Sequence, residues 1–171
     1  MDLGILIARL VLGLLMAAHG TQKLFGWFGG YGLAGTGGFF EQLGFRPGRA
    51  FAFAAGAGEV VSGLLIAFGL FGPAGPAILV SIMIVAAVSV HLQHGVFATT
   101  NGIEVPLLYA TGAIALALTG AGRFSLDALL GMDSLWTPAT IAATLAAGIA
   151  GGILSLSLRR SVTHVTPVGI E

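Results

Sequence analysis

Two ionisable residues sit where a bilayer would make them costly. Glu59 lies near the middle of the apolar run Ala50 to Leu70, and Arg9 interrupts the run Leu3 to His19. A charge at bilayer depth costs at least about 2.5–3.5 kcal/mol, so such a group is normally paired, neutralised or placed in a wet cavity. Three arrangements follow for Glu59: an ion pair with Arg9 locking the first span to the second, a functional carboxylate in a cavity, or a neutral carboxyl bonded to backbone. Ala55, Ser62 and Gly63 share its helical stripe, and small residues on a stripe let another helix approach.

A second group is His19, Gln22, Lys23, His91, His94 and Glu104. Imidazoles, an amine and a carboxylate of this kind can hydrogen-bond a carbonyl ligand and pass protons. His91 and His94 stand at i, i+3, which resembles part of a metal site. The paired Glu-x-x-His motifs of carboxylate-bridged bundles are absent, however, and no metal is assigned. Glu104 also has a plain account: it falls in a first helical turn, where a carboxylate suits the positive helix end. A third constellation is GAGRFSLD, where Ser125 reads as an N-cap and Arg123 is placed to pair with Asp127 in a corner.

The elements that must position these residues are spans of about 20 apolar residues. They run from Leu3 to about His19, Ala50 to Leu70, Ala77 to Leu92, Ile103 to Thr119, and from Thr137-Pro138, an N-cap followed by a first-turn proline, to Leu158. The first reads as a retained helix rather than a signal peptide, because it lacks a basic start and carries Arg9 inside. Five spans place Lys23, Arg46, Arg49, Arg159 and Arg160 on one side and Arg123 alone on the other. The positive-inside rule then predicts an outside N-terminus and a cytoplasmic C-terminus. By the same parity the second group lies at the cytoplasmic helix ends. Gly148 and Gly152 form a GxxxG suited to helix packing.

Composition sets the frame for this reading. Of 171 residues, 56% are hydrophobic, 8% are charged and 28 are glycine, with net charge zero. A soluble domain averages roughly 25% charged residues, so this surface must face lipid. Neutrality and the lack of a basic cluster exclude a nucleic-acid partner. Without cysteine there is no disulfide, thiolate metal site, Cys-ligated cluster or CxxC chemistry. No Walker loop or nucleotide-binding strand–helix unit is present.

Three stretches carry a resemblance: HGTQKLFGWFGGYGLAGTGGFFEQLGF (19–45), GAGEVVSGLLIAFGL (56–70) and NGIEVPLLYATGAIALALTGAGRFSLD (101–127). Together, from about Ile5 to about Leu130, they resemble the DoxX family of small bacterial integral membrane proteins. His19, Lys23, Glu59, Glu104, Arg123 and Asp127 occupy its motif positions. The resemblance implies a four-helix bundle in the bacterial plasma membrane and a redox setting, since relatives serve terminal quinol oxidase and thiosulfate:quinone oxidoreductase complexes. This chain adds a span.

The expected fold is therefore all-α: a polytopic membrane bundle with a four-helix DoxX-like core (1–130), a connector and fifth transmembrane helix (131–158), and a disordered cytoplasmic tail (159–171). The expected function is a membrane subunit of a redox-linked complex. A quinone would be bound by His19, Lys23, His91 and Glu104, with Glu59 as the catalytic proton carrier and Arg9–Glu59 and Arg123–Asp127 as structural ion pairs. Electrons would come from a partner subunit, since no side chain here supplies them. The alternative is a non-enzymatic membrane scaffold or lipid-binding protein, and a homo-oligomer fits either. A transporter has less support, because no inverted repeat or pair of broken helices is evident.

Overall fold

A computed structural model describes residues 1–160; the greater part of the expected tail lies outside the described residues. The described residues form helices and turns without a strand. In chain order they are α1 (Asp2–Phe25), α2 (Gly32–Gln42), α3 (Gly48–Phe68), α4 (Ala74–Ala86), α5 (Glu104–Thr119), α6 (Leu126–Leu130) and α7 (Pro138–Ser157). α4 continues through a π-helical turn, Ala87–His91, so its span reaches His94. Four spans are long and apolar enough to cross a membrane: Asp2–Phe25, Gly48–Phe68, Ala74–His94 and Pro138–Ser157. α5, the expected fourth span, is shorter at 16 residues. α2 has 11 residues, too few to cross, and packs against α1 and α3.

The surface is that of a membrane protein. Arg9, Glu59, Ser62 and Asp127 are buried, while Leu3, Ile7, Val11 and Leu14 on α1 and Ile149, Ile153 and Leu154 on α7 are exposed. A continuous apolar exterior of this kind is incompatible with water as the only solvent. Exposed Trp27, Phe28 and Tyr31 follow the end of α1, matching the aromatic belt of a membrane interface.

Glycine sets the seam between α1 and α3. A Cβ on Gly63 would lie 2.5 Å from the Gly13 carbonyl oxygen, and one on Gly20 would lie 2.5 Å from that of Gly56. The two antiparallel backbones therefore touch at points two turns apart. No hydrophobic effect drives helices together in lipid, and such close packing takes its place. The GxxxG of α7 works in the same way, because a side chain at Gly148 would collide with the Ala77 backbone of α4. α4 is the central helix, packed on α3, α5 and α7. Its Leu79, Val80 and Met83 form the core with Met16, Ile66 and Ala113.

Both expected helix caps form, because each is a local hydrogen bond between a hydroxyl and a first-turn N–H. Ser125 caps α6 by accepting from the Ala128 N–H (3.1 Å), and Thr137 caps α7 by accepting from the Thr140 N–H (3.2 Å). The bundle has two polar ends. At one, the Arg160 N–H donates to the Gly44 carbonyl (2.9 Å), joining the end of α7 to the α2–α3 link. At the other, the Asp127 N–H donates to the Gly69 carbonyl (3.0 Å), joining α6 to the end of α3.

Candidate functional site

The site is built by the register of α1 on α3. With Gly13 against Gly63 and Gly20 against Gly56, Arg9 falls opposite Ala67, eight residues from Glu59, or about 12 Å along the axis. Helical side chains lean toward their own N-terminus. Lys23, late on α1, therefore leans into the bundle. Glu59, on the antiparallel α3, leans back to meet it. The Lys23 Nζ lies 2.6 Å from both carboxylate oxygens of Glu59.

This corrects the expected Arg9–Glu59 pair. Arg9 leans away from Glu59 and donates instead to four backbone carbonyls: Ile66 (3.1 Å) and Ala67 (2.9 Å) in the last turn of α3, and Ala121 and Phe124 (3.1 Å) beyond α5. The last-turn carbonyls of a helix lack intrahelical donors, and the guanidinium supplies them. Gly69 ends α3 in the left-handed conformation, and a Cβ there would strike the guanidinium (2.7 Å), so glycine is required twice over.

The expected Arg123–Asp127 pair is likewise not formed. Asp127 is fully buried and accepts from the Phe71 N–H (2.9 Å), the Gly72 N–H (2.6 Å) and the Trp136 indole N–H (2.8 Å). Three part-buried donors hold the carboxylate inward, away from the exposed Arg123. Arg123 stays exposed, 3.5 Å from Asp2 and stacked over Phe124.

Beside the Lys23–Glu59 pair opens a cavity of about 700 Å³. It lies between α3 and α7 over one face of α4, with α2 closing one end. Lys23, Glu59, Ser89, His91 and Ser155 are the polar residues toward that end, with Phe39, Phe40, Phe45 and Phe51 about them. The remaining lining is mostly alanine, glycine and aliphatic side chains reaching to Ala74 and Thr144. Glu59 is 5% exposed at its side chain and Lys23 28%, so the pair is open on the lysine side only.

Of the expected ligand-binding set, Lys23 and His91 line this cavity, and His19 and Glu104 do not. His19 shares a hydrogen bond with Gln22 (3.1 Å) and meets Tyr109 edge-on. The Glu104 carboxylate accepts from the Ala98 N–H (2.7 Å), closing the loop before α5. His91 has Nδ1 2.8 Å from the Asn101 carbonyl, and His94 has Nδ1 2.8 Å from that of Val90. No cluster of three metal-ligating side chains occurs among the described residues.

Ser89 is a residue the sequence reading missed. It is 5% exposed, and its Oγ is the one buried side-chain polar atom without a partner among the described residues. Ser62 and Ser155 bond back to carbonyls of their own helices. Ser89 sits in the π-turn, a form that often marks functional sites, where the usual back-bonding geometry is altered. Ala77, Ser81, Val85 and Ser89 all line the cavity and recur every four residues. That spacing was the available sequence signal.

The fold and this site define a multi-pass, all-helical membrane protein with a ligand-sized cavity next to a buried ion pair. A family model described as DoxX matches residues 4–92, just over half of the chain, and the protein belongs to the DoxX family. The match covers α1 to α4, which contribute every charged or histidine residue of the cavity. No curated protein and no solved structure matches the chain.

Proposed function

We propose that this protein is a membrane subunit of a redox-linked complex and that its cavity binds a quinone. The observation that carries this reading is the cavity itself. Small-molecule sites are typically concave, mostly apolar volumes of about 300–1,000 Å³ with a few convergent polar groups. Here the volume is about 700 Å³, and Lys23, Glu59, Ser89 and His91 gather at one end.

The chemistry of these groups suits a quinone head. An ammonium and a hydroxyl donate to carbonyl oxygens, an imidazole can do either, and the aromatic side chains offer faces to the ring. Reduction of a quinone to a quinol takes two electrons and two protons. Glu59 and Lys23 would relay protons, and a partner redox subunit would supply the electrons. The protein would sit in the bacterial plasma membrane with the Lys23 end cytoplasmic, as the basic residues at that end favour.

Gentle purification followed by mass spectrometry should recover a quinone with the protein. Glu59→Gln should lower quinone-linked activity in the complex without loss of folded protein; equal activity in the variant would reject the reading. The half-open, largely apolar lining also favours a lipid chain as occupant. Recovery of phospholipid alone, together with unchanged activity, would support the scaffold or lipid-binding function instead.

A further inference from the structure

Resting on the quinone reading, we propose that α7 forms the tail-binding wall of the site. In this arrangement the groove from the Lys23–Glu59 pair to Ala74 seats the hydrocarbon chain of a long-tailed ligand. The lining of the cavity follows α4 from His91 to Ala74, about 25 Å at 1.5 Å per residue. It is polar at the Lys23 end and almost wholly apolar beyond, the pattern of a head and a chain. Ser89, buried and unpartnered, belongs to the head end.

α7 lies outside the residues matched by the family model, yet it walls the groove from Thr144 to Ser155, about 16 Å of its length. Its lining residues are Thr144, Ala147, Gly148, Gly151 and Ser155. They fall on one helical face, and all are small. The bulky Ile149, Ile153 and Leu154 are exposed on other faces. The two hydroxyls are turned back on their own helix, Thr144 to the Thr140 carbonyl (2.7 Å) and Ser155 to that of Gly151 (2.8 Å), so the wall presents carbon. Gly148 and Gly152 pin this helix against the Ala77 and Ser81 backbone of α4, which fixes the width of the groove.

Large side chains on this wall should block the chain and spare the head. The test uses the full chain in lipid nanodiscs, with Ala147→Trp and Gly151→Leu; an added Cβ at Gly151 would meet only the rotatable Ser81 hydroxyl (3.3 Å), not the α4 backbone that Gly148 touches. The probes are a benzoquinone bearing a ten-carbon tail and the same head without a tail. The wild type should bind the tailed form at least tenfold more tightly. Both variants should lose that advantage, keep the affinity for the tailless head, and melt as the wild type does.

Full retention of the tail preference in both variants overturns the proposal. Failure of the wild type to bind either quinone overturns the functional reading instead, and the wall is then judged by lipid retained through purification. Lipid lost in Ala147→Trp supports a chain seat occupied by lipid, and unchanged lipid rejects the seat.

Discussion

The two ends of the bundle use the same kinds of charge for opposite purposes. At the Arg9 end, a guanidinium and a carboxylate are each consumed by backbone groups from several elements. Arg9 gathers carbonyls of α3 and of the turn after α5, and Asp127 gathers the Phe71 and Gly72 N–H groups and the Trp136 indole. At the Lys23 end, Glu59 and Lys23 bond to each other and stand beside a cavity. A charge spent on loop backbone fixes the chain's corners. A charge paired only with its opposite, next to an apolar groove, remains available to a ligand. Buried ionisable groups in a membrane protein are therefore not all site residues, and the identity of their partners separates the two kinds.

Breaking the first end should have the largest effect on stability. Asp127→Ala leaves three part-buried donors without an acceptor, and Arg9→Met leaves the Ala67, Ala121 and Phe124 carbonyls without a donor, that of Ile66 keeping the Gly69 N–H. At about 1–3 kcal/mol for each buried unsatisfied group, either variant should lose about 3 kcal/mol or more in detergent unfolding. Neither should change quinone affinity in molecules that remain folded. A mild loss of stability with a large loss of binding would erase the contrast between the ends.

Glu59→Gln should show the reverse pattern, and Lys23→Met should share its loss of binding. Each should weaken quinone binding by about tenfold, the loss of one charge-assisted hydrogen bond, as read by titration. In Glu59→Gln stability should fall by only about 1 kcal/mol, because Lys23 is partly exposed and can carry its ammonium to the interface; Lys23→Met strands the buried Glu59 and should cost more, about 3 kcal/mol. An Asp127-like collapse of stability in Glu59→Gln would show that this pair, too, is structural.

The double variant Lys23→Met/Glu59→Leu sharpens the comparison further. Replacing a buried ion pair with apolar residues of similar size is often neutral or stabilising. Thermal stability should return to the wild-type value while binding stays lost. The smallest effect belongs to Ser89→Ala. Removing an unpartnered buried hydroxyl should leave stability unchanged or raise it by about 1 kcal/mol, with a modest loss of quinone affinity. Clear destabilisation would mean that the hydroxyl has a bond in the folded protein.

Much of the frame was legible because it rests on local chemistry. Scarce charge and long apolar runs specified a helical membrane bundle, and the caps at Ser125 and Thr137 read directly as hydrogen-bonding side chains before helices. Parity of the spans correctly placed Lys23, His91 and Glu104 at one end. The pairing of charges was not legible. Arg9 and Glu59 looked like partners because they are opposite in sign and both buried, but residues deep in apolar runs share a depth only if the helix register allows it. Likewise, Arg123 and Asp127 are close in sequence, yet α6 turns one inward to the Phe71, Gly72 and Trp136 N–H groups and leaves the other outside.

By itself the sequence determined the solvent of this protein, the helical type of its long apolar runs, and the residues whose burial demands compensation. These follow from composition and helical period, which each segment carries alone. Tertiary structure decided that Lys23 rather than Arg9 meets Glu59, that His19 and Glu104 lie outside the cavity lining, and that α7 walls the groove. Those outcomes depend on where glycines let one backbone touch another. A contact between Gly13 and Gly63, or between Gly148 and Ala77, sets the register of whole helices and is a property of two segments together.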